Sequence, residues 1–127
     1  RVKLPYIDEA NEARRKAAHR YNDLLKDIPG IITPFEDARS KHVYHQYTIR
    51  VLDGKRDELQ RHLSDRGIGT MVYYPVPVHR LPLYKESAPV LPVAEKLSGE
   101  VLSLPIWPNI GEDVQGEVAE GIMELIK

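Results

Sequence analysis

Three polar side chains that could bind a ligand, His79, Arg80 and Tyr84, lie on one proline-rich segment. The segment spans residues 70–84 and is called the proline arm below. Its prolines lack the N–H that a ladder or helix needs and restrict the residues before them, so we expect a stiff, non-helical arm at the end of a strand. Rigid loops at strand ends commonly carry binding groups. The arm is therefore a candidate binding site, and a surface connection stiffened by prolines is the alternative.

Other kinds of site find little support in the residue pattern. His42 and His45 have the His-x-x-His spacing of a metal site, but on a strand they would point to opposite faces, so we expect no metal. The chain has no cysteine, which excludes disulfides and thiol chemistry. It contains no recognisable catalytic triad, phosphate-binding glycine loop or lysine motif for a Schiff base. We expect no catalytic residue within this chain.

Length and charge place the chain among single-domain proteins. It has 127 residues, with 18 Lys and Arg against 19 Asp and Glu and a net charge of −1. This balance gives no indication of nucleic-acid binding. No apolar run reaches the roughly 20 residues of a membrane helix, and the N-terminus has no hydrophobic signal core, so a cytoplasmic, non-membrane location is expected.

Apolar periodicity predicts the elements that would position the arm. In chain order we expect a helix, a strand, a helix, a strand, a short helix, a strand and a helix, at residues 7–28, 42–52, 57–66, 68–74, 93–99, 101–105 and 112–127. Residues 31–32 could add a short strand. In the strand 42–52, one face is expected to carry Val43, His45, Tyr47, Ile49 and Val51. The fold class is therefore α+β, with a small three- or four-stranded sheet and helices packed mainly on one face.

Four segments, in order and correctly spaced, resemble the C-terminal part of DegT/StrS-type sugar aminotransferases. They are PYIDE with YNDLL (residues 5–9 and 21–25), HVYHQYTIR (42–50), GIGT with YPVPVH and PLY (67–70, 74–79 and 82–84), and LPVAE with EVLSLP (91–95 and 100–105). The resemblance covers essentially the whole chain. One departure is Tyr73, where many members carry His.

The resemblance implies that residues 1–127 are the small domain of a longer enzyme and begin with a long helix (1–29). A large domain outside this chain would hold most of the pyridoxal phosphate site, including the cofactor lysine. The full-length enzyme would be a cytoplasmic homodimer that transfers an amino group from an amino acid such as glutamate to a keto nucleotide sugar. The isolated fragment would be inactive, and an exposed apolar patch would mark where the large domain docks.

In such an enzyme the resemblance implies that Tyr74, His79 and Tyr84 lie at the sugar edge of the cofactor cleft. His45 is a weaker candidate, and Arg80 could bind a phosphate. Two alternatives remain open. One is a stand-alone binding or regulatory module without catalysis, and the other is a sugar dehydratase of the same family, in which the cofactor lysine is replaced.

Overall fold

The computed structural model describes residues 1–84 and 88–126. Within them lie four α-helices and three β-strands: α1 (Ile7–Leu25), β1 (Ile31–Ile32), β2 (Tyr47–Val51), α2 (Arg56–Asp65), α3 (Pro92–Glu100), β3 (Val101–Leu104) and α4 (Glu112–Ile126). Short 3₁₀ turns occur at Leu4–Tyr6, Val78–Arg80 and Pro82–Tyr84. No helix in these ranges is long and apolar enough to span a bilayer.

The three strands form one antiparallel sheet in the order β1-β2-β3. Tyr47 pairs with Leu104 and Ile49 with Leu102, while Ile31 pairs with Val51 at the other edge of β2. The helices and this sheet confirm the predicted α+β class. The sheet is short, so most of the domain's core comes from the helices that cover it.

The core lies between one face of the sheet and helices α1, α2 and α4. Tyr47, Ile49 and Val51 are fully buried on that face, as the alternation of β2 predicts. Both α1 and α2 contact α4. The buried Gln115 side chain joins α4 to α1 by donating to the carbonyl of Ala17 at 2.8 Å. This bond satisfies a polar group that would otherwise destabilise the core.

The strand predicted at residues 42–52 begins only at Tyr47. Tyr44 has φ of 46°, which breaks the alternation of side chains, and it is buried instead of its neighbours Val43 and His45. The Tyr44 hydroxyl donates to Glu36 at 3.3 Å, and its backbone N–H donates to the His42 ring at 2.9 Å. These contacts stabilise a turn where the sequence predicted extended backbone, so the predicted shared face was wrong for Val43 and His45.

The strand predicted at 68–74 is reduced to a single bridge between Met71 and Ser103. Both backbone bonds of that bridge form, at 3.0 and 2.9 Å. In an antiparallel ladder the next bonded positions along β3 would be Pro105, which has no N–H, and Val101, whose N–H already donates to the Leu97 carbonyl at the end of α3. The ladder therefore cannot extend in either direction, and the arm leaves the sheet early.

Candidate functional site

A cleft of about 650 Å³ lies between the proline arm and α3. We call it the arm cleft. Its lining comprises Tyr74, Pro77, Val78, His79, Tyr84, Ala88, Pro89, Leu91, Ala94, Leu97, Ser98 and Val101. Most of these side chains are apolar, with polar groups contributed mainly by the arm. The cleft therefore combines an apolar wall with a few hydrogen-bonding groups, which is the usual make-up of a small-molecule site.

The arm owes its shape to its prolines and to two consecutive tight turns. Pro77 is extended, with φ −59° and ψ 141°, and a 3₁₀ turn follows at Val78–Arg80. Arg80 N–H donates to the Pro77 carbonyl at 2.8 Å, and Tyr84 N–H donates to the Leu81 carbonyl at 2.9 Å. The expectation of a non-helical arm was thus wrong for residues 78–80 and 82–84, because the prolines exclude long helices but permit single 3₁₀ turns.

The carboxylate of Glu95 on α3 holds the arm. Its Oε1 atom accepts from Arg80 Nη2 at 2.8 Å and from Arg80 Nε at 3.2 Å. The same oxygen contacts His79 Nε2 at 3.1 Å and accepts the Leu91 backbone N–H at 3.1 Å. Hydrogen bonds from Arg80, then His79 and Leu91, lower the pKa of Glu95 to about 2. Glu95 is therefore ionised at neutral pH and acts only as an acceptor.

The predicted site residues differ in how accessible they are. Tyr74 is 73% exposed and Tyr84 is 45% exposed, so both phenols are open to a ligand. The side chain of His79 is only 10% exposed, whereas that of Arg80 is 48% exposed. Tyr74, His79 and Tyr84 share the arm cleft, and Arg80 is connected to it through Glu95.

His45 lies apart from the arm cleft. It is exposed and lines two other hollows, one with Val2 and Leu4 and the other with Thr70 and Trp107. The structure therefore brings three of the five predicted residues together, places Arg80 beside them and leaves His45 elsewhere.

Sequence reasoning missed the role of Glu95. Glu95 lies four residues after the N-cap residue Leu91, one position beyond the glutamate of a capping box, so its bond to the Leu91 N–H had no standard sequence signal.

The described residues do not form a pyridoxal phosphate site on their own. Each lysine among them is exposed or half-exposed, and none lines the arm cleft. Arg80, which lies on the arm beside the cleft, is paired with Glu95. The same residues contain no cluster of three or more His, Cys, Asp or Glu that could hold a metal ion. The cofactor's aldehyde would therefore lack a lysine partner in this cleft.

Exposed apolar side chains surround a second hollow of about 740 Å³ near the N-terminus of α1. Val2 is 85% exposed and Leu4 is 68% exposed, and Tyr6, Ile7 and Val43 extend this surface. The exposed apolar patch expected from the sequence is therefore present. A patch of this kind commonly marks a surface that another domain or subunit covers.

The fold matches the small domain of an aminotransferase. The structure of Streptomyces venezuelae DesV in complex with a ketimine intermediate aligns with all of this chain at a TM-score of 0.92 and 38% identity, over 34% of the DesV chain. NtdA from Bacillus subtilis with bound cofactor PMP aligns over 92% of this chain and 28% of its own, at a TM-score of 0.79 and 30% identity.

The chain belongs to the DegT/DnrJ/EryC1/StrS aminotransferase family, whose model matches residues 1–123. A pleiotropic regulatory protein of Geobacillus stearothermophilus is 47% identical over 99% of this chain and 35% of its own length. The dTDP-3-amino-3,4,6-trideoxy-α-D-glucose transaminase of S. venezuelae is 39% identical over 98% of this chain and 33% of its own length. The chain thus spans about a third of these curated relatives.

Proposed function

We propose that this chain is the C-terminal small domain of a pyridoxal-phosphate-dependent sugar aminotransferase. The enzyme would transfer an amino group from an amino acid, with glutamate as the expected donor, to the keto carbon of a nucleotide sugar. The observation that carries the proposal is the alignment of the entire chain with DesV at a TM-score of 0.92. The naming of one relative as a transaminase of a dTDP-linked amino sugar supports the substrate class.

Within this proposal the arm cleft contributes the sugar edge of the active site. Its apolar wall can pack against the flat faces of a sugar or base, while the exposed phenols of Tyr74 and Tyr84 can bond hydroxyls. The half-exposed Arg80 carries the charge that a diphosphate requires. His79 lies between these groups, and His45 is left as a separate contact outside the cleft.

The cofactor, in this proposal, is bound mainly by a large domain outside the chain, because no lysine among the described residues lines the arm cleft. The exposed apolar surface near Val2 and Leu4 supports docking against that domain. Homodimerisation and a cytoplasmic location are further parts of the same proposal. Both rest on the family resemblance alone.

The direct test is to assay the intact gene product that contains this chain. We expect bound pyridoxal phosphate and transfer of 15N from labelled glutamate to a keto dTDP- or UDP-sugar, followed by mass spectrometry of the product. The 127-residue chain serves as the matched control and should show neither cofactor nor turnover. Amino transfer by the 127-residue chain alone, or an intact protein without cofactor or transfer, would refute the proposal.

The intact gene product and the 127-residue chain also distinguish two alternative functions from the proposed one. A regulatory function is favoured by the name of the Geobacillus relative, a pleiotropic regulatory protein. A stand-alone module would bind its ligand tightly through the 127-residue chain, whereas half a cleft should bind a nucleotide sugar weakly. A dehydratase of the same family would release a product that has lost a hydroxyl group, which mass spectrometry distinguishes from one that has gained an amino group.

A further inference from the structure

One carboxylate oxygen links the proline arm to α3 by charged and neutral hydrogen bonds at once. Oε1 of Glu95 contacts Arg80 through two nitrogens, His79 through Nε2 and Leu91 through its backbone N–H, all between 2.8 and 3.2 Å. His79 and Arg80 lie 16 and 15 residues from Glu95 along the chain. The bonds therefore join the proline arm to α3 and do more than cap the N-terminus of that helix.

The contact with Glu95 also determines which nitrogen of His79 carries hydrogen. An ionised carboxylate can only accept, so a neutral His79 bonded to it must have its proton on Nε2. Nδ1 then carries the lone pair. His79 lines the arm cleft, so this lone pair can accept a hydrogen bond from a ligand that enters the cleft. Only 10% of the His79 side chain is exposed, so its surroundings hold the ring in place.

We propose that Glu95 is a positioning residue that fixes the arm, holds His79 as the Nε2–H tautomer and so prepares Nδ1 to accept a hydrogen bond from a hydroxyl group of the nucleotide sugar. The inference rests on the proposed function and adds a specific determinant of substrate binding to it. Arg80, held by the same oxygen, keeps a half-exposed guanidinium at the cleft edge. An orientation that is set before binding lowers the entropy that binding must overcome.

Glu100 supplies a matched control on the same helix. It also pairs with an arginine, accepting from Arg50 Nη2 at 2.7 Å and from Arg50 Nε at 2.9 Å. Its side chain is 13% exposed, compared with 30% for Glu95. Glu100→Gln therefore removes a comparable ion pair from α3 without touching the arm.

The test compares Glu95→Gln with Glu100→Gln in the intact gene product. We expect Glu95→Gln to raise KM for the nucleotide sugar by about tenfold with kcat little changed, because substrate contacts are lost while the reacting groups remain. Glu100→Gln should leave both parameters near the wild-type values. A purely structural role for Glu95 would instead lower the amount of active Glu95→Gln enzyme, and therefore kcat, and leave KM unchanged.

A second substitution and a spectroscopic measurement guard against a simple folding defect. His79→Gln keeps Glu95 and its bond to Leu91, and should raise KM by a similar factor. The double variant should be no worse than either single variant, as for residues acting as one unit. In the 15N-labelled wild-type protein, NMR of His79 should show the Nε2–H tautomer, and Glu95→Gln should shift it toward a mixture.

The possible failures are distinguishable. An active Glu95→Gln enzyme with unchanged KM, or a wild-type His79 that is the Nδ1–H tautomer or an imidazolium at neutral pH, would overturn the positioning role and leave the proposed function standing. A wild-type protein without amino transfer to any nucleotide keto sugar would refute the proposed function, and the inference about Glu95 would fail with it.

Discussion

Two glycines of α4 provide a sharp test of how closely the helices pack. Both lie within a helix, where replacing glycine by alanine gains about 0.5–1 kcal/mol from reduced backbone entropy. A Cβ atom at Gly116 would meet no atom within 4 Å. A Cβ atom at Gly121 would lie 2.9 Å from Leu63 Cδ2, and 3.5 Å from Cδ and Nε of Arg66. Replacement by alanine should therefore raise the free energy of unfolding at Gly116 and lower it at Gly121.

The magnitudes follow from the contact at Gly121. Leu63 is completely buried, so its methyl group has no free space into which to retreat. Inserting a methyl group into such a contact costs about 1–3 kcal/mol, which exceeds the helical gain. We expect Gly116→Ala to stabilise the chain by up to about 1 kcal/mol and Gly121→Ala to destabilise it by about 1 kcal/mol.

Urea unfolding followed by circular dichroism measures both effects. The two variants should differ from wild type in midpoint with unchanged m-values, because neither substitution alters the surface exposed on unfolding. If Gly121→Ala were as stable as Gly116→Ala, the close contact between α4 and α2 would not exist as described. A loss of stability in Gly116→Ala would likewise contradict the open space at that position.

Three further substitutions test the core and the loop before β2. Tyr47→Phe removes the hydroxyl that donates to Asn22 at 2.6 Å, and should cost about 1 kcal/mol in urea unfolding. Ile49→Ala empties a fully buried site at the centre of β2 and should cost about 2–5 kcal/mol by the same measurement. Hydrogen bonds from Arg15, and then from the His42 backbone, lower the pKa of Glu36 from 4.5 to about 2. The stability this carboxylate contributes should be present above pH 4.5 and lost as the pH falls toward 2, so acid titration of Glu36→Gln should show a shallower decline.

The helices and the central strand were predictable because their signals are local. Apolar spacing located α1, α2 and α4, and α3 extends one residue beyond its predicted range at each end. Lys127, at the end of the predicted last helix, lies outside the described residues. Helix α1 ends at Leu25 and not at Ile28, because the chain must turn before β1.

The predictions that were wrong or incomplete concern segments whose structure depends on particular tertiary contacts. Residues 68–74 have the composition of a strand, but whether they pair depends on the hydrogen bonds left free on β3, where the Val101 N–H already donates to Leu97 of α3. The positive φ of Tyr44 accompanies nearer contacts, with His42 and with Glu36 eight residues earlier, that the strand-like pattern of residues 42–52 did not reveal. For the site, residue types identified the arm, yet its attachment to Glu95 could only be seen in three dimensions.

The hydrogen bonds of α1 have a consequence for synthesis on the ribosome. Tyr21 donates to the carbonyl of Pro105, and the Ala17 carbonyl accepts from Gln115, so the partners are 84 and 98 residues apart. At about 5–20 residues per second, α1 is made some 5–20 s before its partner helix. During that interval the part of its face that packs against α4 is uncovered. Nascent chains stalled before α4 should therefore be the species most dependent on chaperones.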